Sequence, residues 1–328
     1  MAVKIGVLSY AHIHAASYMG CVNQNPNAVL AGIADDNTER GKKAAAEFQS
    51  QYFPSYEALL DSDIDAVVIA SENINHRPLT RMAAKAGKHI LCEKPLATTV
   101  ADGRAMIQAC KDAGVQLMTA FPCRFSPAMN RLREAVQSGA IGEIMAMKGT
   151  NQGLNPGLWF IELEKSGGGA VIDHTVHVTD LMRWITGKEP VEVYAEISNR
   201  MHHCDYDDCG VLTITFDGGI FSTLDTSWSR PKTYPTWGNV TLEITGTEGV
   251  IAMDMFAQNI IQYSDEAQRI NWLHWGDNID YGLIDSFVTS VAEGKPVAIT
   301  GEDGLAALEV ALAAYRSNEI HEPVRLPL

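Results

Sequence analysis

The chain is short of paired cysteines. Its 328 residues include six, at 21, 92, 110, 123, 204 and 209, and none forms a C-x-x-C pair. Scattered in this way they read as reduced thiols, which excludes a disulfide framework. Long hydrophobic runs are absent as well. No stretch of 18 apolar residues occurs, so no membrane-spanning helix is expected. Positive charge is scarce: 25 Lys and Arg stand against 40 Asp and Glu, a formal net charge of −15. Such a surface repels phosphate backbones and anionic lipid, so neither nucleic acid nor a membrane is an expected partner. A neutral or cationic small molecule suits that field. The chain also lacks an internal repeat, a low-complexity segment and a linker longer than a loop. It opens Met1-Ala2-Val3-Lys4-Ile5-Gly6, straight into a strand pattern with no signal peptide, so a cytoplasmic location is expected.

What is present is ordinary for a folded protein: 46 % apolar and 20 % charged residues. At roughly 150 residues per domain the length suggests two domains. Up to residue 121 short apolar runs alternate with helical stretches. The runs Val3–Leu8, Val29–Ala34, Ala66–Ala70, His89–Cys92 and Val115–Ala120 are expected as strands. Helices are expected at His14–Asn25, Thr38–Gln49, Tyr56–Asp61, Pro78–Ala86 and Val100–Ala113. Strict alternation of this kind predicts βαβ units around a parallel sheet. The strands are continuously apolar, as a sheet covered on both faces requires.

After Phe121 the texture changes. A helix is expected at Pro127–Ser138, then a glycine-rich stretch, then a helix over Asp173–Thr186. Strands follow with hairpin-like spacing: Val191–Ile197, Val211–Phe216, Ile220–Ser227, Val240–Thr245, Val250–Asp254 and Ile260–Tyr263. Turn signals such as Asp217-Gly218-Gly219 separate them. Consecutive strands predict a mainly antiparallel sheet. Two closing helices are expected at Leu283–Glu293 and Gly304–Ser317. The boundary falls near residue 121, giving domains 1–121 and 122–328, with the last helix free to pack back on the first domain.

Four places carry chemistry. The first is the turn Ser9-Tyr10-Ala11-His12-Ile13-His14 after the first strand. A dinucleotide site places three glycines here, and this chain has Ser9, Ala11 and His14 instead. Ser9 and Ala11 are small, a helix N-terminus follows, and His12 and His14 offer donors to phosphate. Histidines at an ordinary helix start are the plainer reading. The second is Asp35, which closes the second strand about 20 residues after the turn. A carboxylate there accepts hydrogen bonds from an adenosine ribose and, with Asp36, repels a 2′-phosphate. A helix cap is the alternative. The third is Glu93-Lys94-Pro95, at the strand edge where α/β sheets bind ligands. By itself it reads as a surface lysine in a turn.

The fourth is Gly167-Gly168-Gly169 with Asp173, His174 and His177. Asp173 is expected as the helix N-cap, and His177 lies one turn on, on the same face. A carboxylate beside an imidazole makes a good general base near neutral pH. A capped core helix with a satisfied histidine is the plainer alternative. His174 and His177 form an H-x-x-H pair, but no further ligands have convincing spacing, so no metal is expected.

Together these segments resemble the Gfo/Idh/MocA oxidoreductases, the glucose–fructose oxidoreductase and inositol dehydrogenase group. The resemblance runs through Asp35, Ala66 to His76, Gly87 to Leu96 with its Glu-Lys-Pro, Ser138 to Glu143, the triple glycine with Asp173 and His177, Gly246-Thr247-Glu248-Gly249 and Glu302-Asp303-Gly304. It implies an α/β protein, with an N-terminal Rossmann parallel sheet and a C-terminal α/β domain carrying a large open, mainly antiparallel sheet. It implies NAD(P), of which Asp35 and Asp36 favour NAD over NADP, and hydride exchange with a secondary alcohol or ketone of a sugar, sugar derivative or cyclitol. Lys94 would polarise the reacting oxygen, His177 would exchange its proton, and Asp173 would position a substrate hydroxyl and tune His177. The implied cofactor residues are Ser9, Ala11, His12, Ile13, His14, Asp35, Ser71, Asn73, His76, Glu93 and Lys94. Arg124, Trp159 and His174 join Lys94, Asp173 and His177 as expected substrate contacts. A homodimer or homotetramer through the C-terminal sheet is expected. Two other readings stay open within the resemblance: a glycosidase that oxidises its sugar transiently, and a non-catalytic NAD-binding sugar sensor.

Overall fold

The computed structural model describes residues 2–266, 268–274 and 276–328. The chain divides into two compact units. The first comprises Met1–Pro122, Leu158–Gly168 and Asp280–Glu309; the second comprises Cys123–Gly157, Gly169–Ile279 and Val310–Leu328. The first unit is therefore not one stretch of chain, as a single boundary near residue 121 would have it.

In the first unit the strands are β1 (Val3–Leu8), β2 (Ala28–Ala34), β3 (Tyr52–Phe53), β4 (Ala66–Ile69), β5 (His89–Cys92) and β6 (Leu117–Thr119). The helices between them are α1 (Ala15–Gln24), α2 (Thr38–Glu47), α3 (Tyr56–Leu60), α4 (His76–Lys85) and α5 (Val100–Ala113). All neighbouring strands pair parallel, in the order β3-β2-β1-β4-β5-β6. That is the doubly wound order, which opens a ligand crevice at the carboxyl ends of β1 and β4. β4 is buried along its whole length, which explains its unbroken Ala-Val-Val-Ile.

The second unit begins with α6 (Pro127–Gln137) and β7 (Ile144–Gly153). After α7 (Leu163–Ser166), which belongs to the first unit, comes α8 (Ala170–Thr186). Then follow β8 (Pro190–Ser198), β9 (Cys209–Phe216), β10 (Phe221–Asp225), β11 (Gly238–Gly246), β12 (Val250–Asp254), β13 (Asn259–Ser264) and β14 (Arg269–His274). The chain closes with α9 (Ile279–Glu293), α10 (Gly301–Ile320) and β15 (Val324–Arg325). Seven strands form an open sheet in the order β12-β11-β7-β10-β9-β8-β15, antiparallel except for β10 with β7. β13 and β14 form a separate hairpin.

The glycine-rich stretch before α8 holds the largest departure from expectation. It contains β7, a central strand of the sheet. Its polar Thr150, Asn151 and Gln152 hide the pattern, yet alternate positions are buried. Gly149 is bare because a Cβ there would lie 2.6 Å from Val178 Cγ1 on α8. The glycines mark close helix-on-sheet packing rather than a loop. α8 also starts earlier than expected, at Ala170, with Gly169 as its N-cap. Asp173 is therefore not the cap, and its carboxylate serves other partners.

Candidate active site

The first unit supplies a dinucleotide-type crevice. Ser9 leaves β1 with φ of 70°, the conformation a glycine ordinarily supplies at this turn. Its hydroxyl accepts the Ala11 amide at 3.2 Å, which helps a non-glycine residue hold that conformation. The Tyr10 amide donates to Asp35 Oδ2 at 2.6 Å and the His12 amide to Ala70 O at 2.9 Å. His14, at the third glycine position, has ordinary helical dihedrals and needs no glycine.

Beside this turn lies a cavity of about 590 Å³, lined by Tyr10, Ala11, His12, Ile13, Arg40, Lys43, Glu72, Trp159 and Lys165 among others. The small side chain at Ala11 and the cations Arg40, Lys43 and Lys165 suit an anionic dinucleotide. Arg40 is a residue that the sequence reading missed. Its Nε and Nη2 grip both oxygens of Asp35, at 2.9 and 2.8 Å, and Nη2 reaches Asp36 at 2.9 Å. With the Tyr10 and Asn37 amides also bound, the Asp35 carboxylate is enclosed as a brace for the turn. The exposed acid at this strand end is Asp36, whose carboxyl is pushed up by partial burial and by the Asp35 carboxylate.

Three expected cofactor contacts prove to be wholly buried: Ser9, His76 and Glu93. Their side chains hold backbone in place. His76 Nδ1 bonds the Pro95 carbonyl at 2.9 Å. Burial lowers its pKa despite nearby Glu93, so the ring is neutral and Nδ1 carries the proton for that bond. Glu93 Oε2 accepts the Lys94 amide at 2.9 Å. The Lys94 main chain, on a cis peptide bond to Pro95, is thus anchored on both sides. Ser71 bonds the Glu72 carbonyl, and Asn73 Nδ2 donates to Ser166 O at 2.8 Å.

Glu93 Oε1 lies 3.0 Å from His14 Nδ1 and 3.4 Å from His12 Nδ1. Burial alone would raise the Glu93 carboxyl, but the attraction of His12, His14 and Lys94 holds it well below the usual carboxylate range. Burial opposes charge on His14 too, and Glu93 outweighs it, so His14 titrates above its ordinary value. The donor atoms of the three side chains lie within 4.8 Å of one another, as metal ligands would. A carboxylate neutralised by an adjacent imidazolium explains the cluster without an ion.

His14, with its pKa raised, contributes stability that is complete below about pH 6.5 and is lost as the pH climbs through its folded value. Glu93, with its pKa lowered, contributes stability that is complete above about pH 4.3 and is lost as the pH falls through its folded value. The melting-temperature gap between the wild type and Glu93→Gln is therefore expected to narrow from pH 6 to 9. A gap constant over that range would refute the pairing.

Within the second unit stand the two residues expected as an acid–base pair. Asp173 and His177 lie one turn apart on α8, each 9 % exposed. Asp173 Oδ2 accepts the Trp228 indole N–H at 3.2 Å and lies 3.3 Å from His174 Nε2. Gly153, at the end of β7, leaves room for that histidine, since a Cβ there would lie 2.7 Å from His174 Cε1. His174 therefore sits against the Asp173 carboxylate. No sequence signal marked Trp228, which reaches Asp173 from beyond β10.

Two expected substrate contacts have other work. Arg124 is buried, with Nε and Nη2 on the Asp180 carboxylate of α8 at 2.7 and 2.5 Å. Its forked donors face a carboxylate inside the fold. Trp159 belongs to the first unit, where its indole N–H donates to Ala11 O at 2.9 Å and its ring stacks on Phe160 at 3.9 Å. It buttresses the first turn and borders the dinucleotide cavity.

Comparison with known proteins accords with both halves. Residues 3–121 match an oxidoreductase family described by its NAD-binding Rossmann fold, and residues 129–252 match the GFO/IDH/MocA C-terminal domain. The chain is 29 % identical to a myo-inositol 2-dehydrogenase of Thermotoga maritima over 99 % of this chain and 98 % of that one. It is 30 % identical to an inositol 2-dehydrogenase of Rhizobium meliloti over 97 % of each. Among solved structures, levoglucosan dehydrogenase in complex with NADH superposes with a TM-score of 0.87 at 25 % identity, covering 100 % of both chains.

Proposed function

The chain belongs to the Gfo/Idh/MocA oxidoreductase family, and on that premise we propose that it moves a hydride between NAD and a secondary alcohol or ketone of a sugar or cyclitol. The observation that carries the reading is the placement of Lys94. It follows β5 at the carboxyl edge of a doubly wound parallel sheet, with its main chain anchored by Glu93 and His76. Such edges are where parallel sheets hold dinucleotides and their substrates. The relatives' activities on inositols and levoglucosan support the substrate class.

The chemistry assigns the roles. Oxidising an alcohol carbon removes a hydride only as the oxygen loses its proton. His177 takes that proton, and Asp173 orients a substrate hydroxyl and supports the imidazolium. The Lys94 ammonium stabilises alkoxide character on the same oxygen. In reduction each step reverses. The bound nicotinamide supplies the hydride acceptor or donor. His174, held against Asp173, completes the substrate set; Arg124 and Trp159 leave it because their polar groups serve the fold.

Asp36 supports NAD over NADP in this reading. Its side chain is 56 % exposed beside the enclosed Asp35, where a 2′-phosphate would meet negative charge. The test is a panel of polyols, sugars and keto-sugars with NAD(H) and NADP(H), read at the nicotinamide absorbance. Turnover with a cyclitol or sugar is expected, with kcat/KM about tenfold or more higher for NAD. Thermal stabilisation by cofactor without turnover of any substrate would favour a sensor and refute the proposal. Sugar release from a glycoside without net NADH would point to the transient-oxidation reading.

Assembly through the seven-stranded sheet accounts for its open face. Val211 and Phe221 are 53 % and 54 % exposed there, on adjacent strands β9 and β10. Apolar residues on an open sheet face mark an association surface. Phe221→Glu is expected to convert the homo-oligomer to monomer in light scattering. A wild-type monomer would dismiss this assembly.

No helix among the described residues is long and apolar enough to cross a membrane.

A further inference from the structure

The helix that carries Asp173 and His177 has no cap of its own. Gly169 stands at the N-cap and brings no side chain, so the first amides of α8 must find acceptors elsewhere. They find them on two distant residues. Asp207, in the segment leading into β9, accepts the Gly169 amide on Oδ1 at 2.8 Å and the Val171 amide on Oδ2 at 2.7 Å. Its backbone carbonyl accepts the Ala170 amide at 2.9 Å. The Tyr315 hydroxyl, from α10, accepts the Gly169 and Ile172 amides at 3.2 Å each and donates to Asp207 Oδ1 at 2.8 Å. The arrangement explains the glycine: a Cβ at 169 would lie 2.0 Å from the Asp207 carbonyl oxygen.

Stabilising a helix requires far less. One Ser or Asp at the N-cap position serves. Here a carboxylate and a phenol from two other elements clamp the first turn of the helix whose next turn bears the proposed base. We propose that Asp207 and Tyr315 form a positioning clamp for the reaction: they set the rotation and depth of the α8 start, and so aim Asp173 and His177. The inference rests on the roles proposed above for those two residues. Asp207 and Tyr315 are positioning residues and touch no reacting atom. The protonation states fit the geometry. Burial raises the Tyr315 phenol well above its ordinary value, so it stays protonated and can donate to Asp207. The Asp207 carboxyl is raised by burial against the pull of the amides and the phenol.

The test compares wild type, Asp207→Asn, Asp207→Glu, Tyr315→Phe and an exposed control, Asp205→Asn. Two readouts are taken well below each melting temperature. One is amide exchange at Ala170, Val171 and Ile172. The other is steady-state turnover of the best cyclitol or sugar, held saturating, with NAD varied. In Asp207→Asn these amides are expected to exchange about fivefold or more faster. Its kcat is expected to fall about tenfold or more, with KM for NAD unchanged. Asp207→Glu restores part of kcat, Tyr315→Phe shows the same pattern with smaller amplitude, and Asp205→Asn matches wild type. An Asp207→Asn variant with a lower melting temperature but wild-type kcat would overturn the clamp, leaving it a purely structural cap. Unchanged amide exchange would overturn it equally. Absence of turnover in wild type would overturn the proposed function itself, an outcome distinct from either.

Discussion

Lys94→Met is expected to abolish turnover while leaving NAD binding intact. The ammonium is the one group proposed to meet developing charge on the reacting oxygen, and removing such a group costs about 10³-fold in kcat. Methionine is unbranched, one atom shorter, and keeps most of the volume of the side chain, so the 4 % exposed site stays largely filled. The backbone anchors remain, because Glu93 Oε2 holds the residue-94 amide and His76 holds the Pro95 carbonyl. Glu93 also keeps His14, whose pKa it raises, as a counter-charge once the lysine is gone. The expected signature is therefore narrow: a fold intact by circular dichroism, a thermal shift with NAD equal to wild type, and turnover near background. A variant within tenfold of wild-type kcat would remove Lys94 from the mechanism. Loss of the NAD shift along with turnover would make it a cofactor contact instead.

The largest effect on stability is expected at Arg124. Arg124→Met leaves the Asp180 carboxylate at 0 % exposure without its bidentate partner. Stranding a buried charge costs about 3–5 kcal/mol, which lowers the melting temperature on the order of 10 °C for a unit of this size. The double variant Arg124→Met/Asp180→Leu removes the stranded charge and is expected to recover much of the loss. The same pair of variants decides between the two readings of Arg124. A structural arginine lowers the melting temperature and leaves the substrate KM nearly unchanged. A substrate contact raises KM about tenfold or more at little cost in melting temperature.

The two variants touch features of unequal legibility. By itself Lys94 reads as a surface lysine in a turn, and its proposed role came from the Glu-Lys-Pro resemblance; its burial, at 4 % exposure, appears only in the fold. Arg124 was visible as a residue type, while its ion pair with Asp180 was not. A guanidinium beside a cleft and one beside a buried carboxylate look alike until Asp180, 56 positions away, is seen to occupy it. The partner of Trp159 was hidden for the same reason: the Ala11 carbonyl is 148 residues distant. Asp35 was found at the right strand end, but the arginine that encloses it was not, although Arg40 lies within five residues. There the signal existed: an acid followed by an arginine near the start of the next helix invites an ion pair.

The glycines divide in the same way. The Rossmann half was legible without its glycine fingerprint, because unbroken apolar strands alternating with helices need no particular turn residue, and Ser9 adopts the turn conformation itself. β7 escaped notice because Gly149 and Gly153 are dictated by neighbours, Val178 and His174, that reach them from α8.

Local order, strand type, the acidic strand end, the Glu-Lys-Pro turn and the one-turn spacing of Asp173 and His177 were set by residues close in the chain, where periodicity and backbone geometry act over a few positions. Which charges are neutralised inside the fold, which glycines make room for a distant side chain, and what caps the helix of the proposed base were decided only when remote segments packed together. Burial makes an unmet charge or amide costly, and only the packed chain reveals which partner meets it.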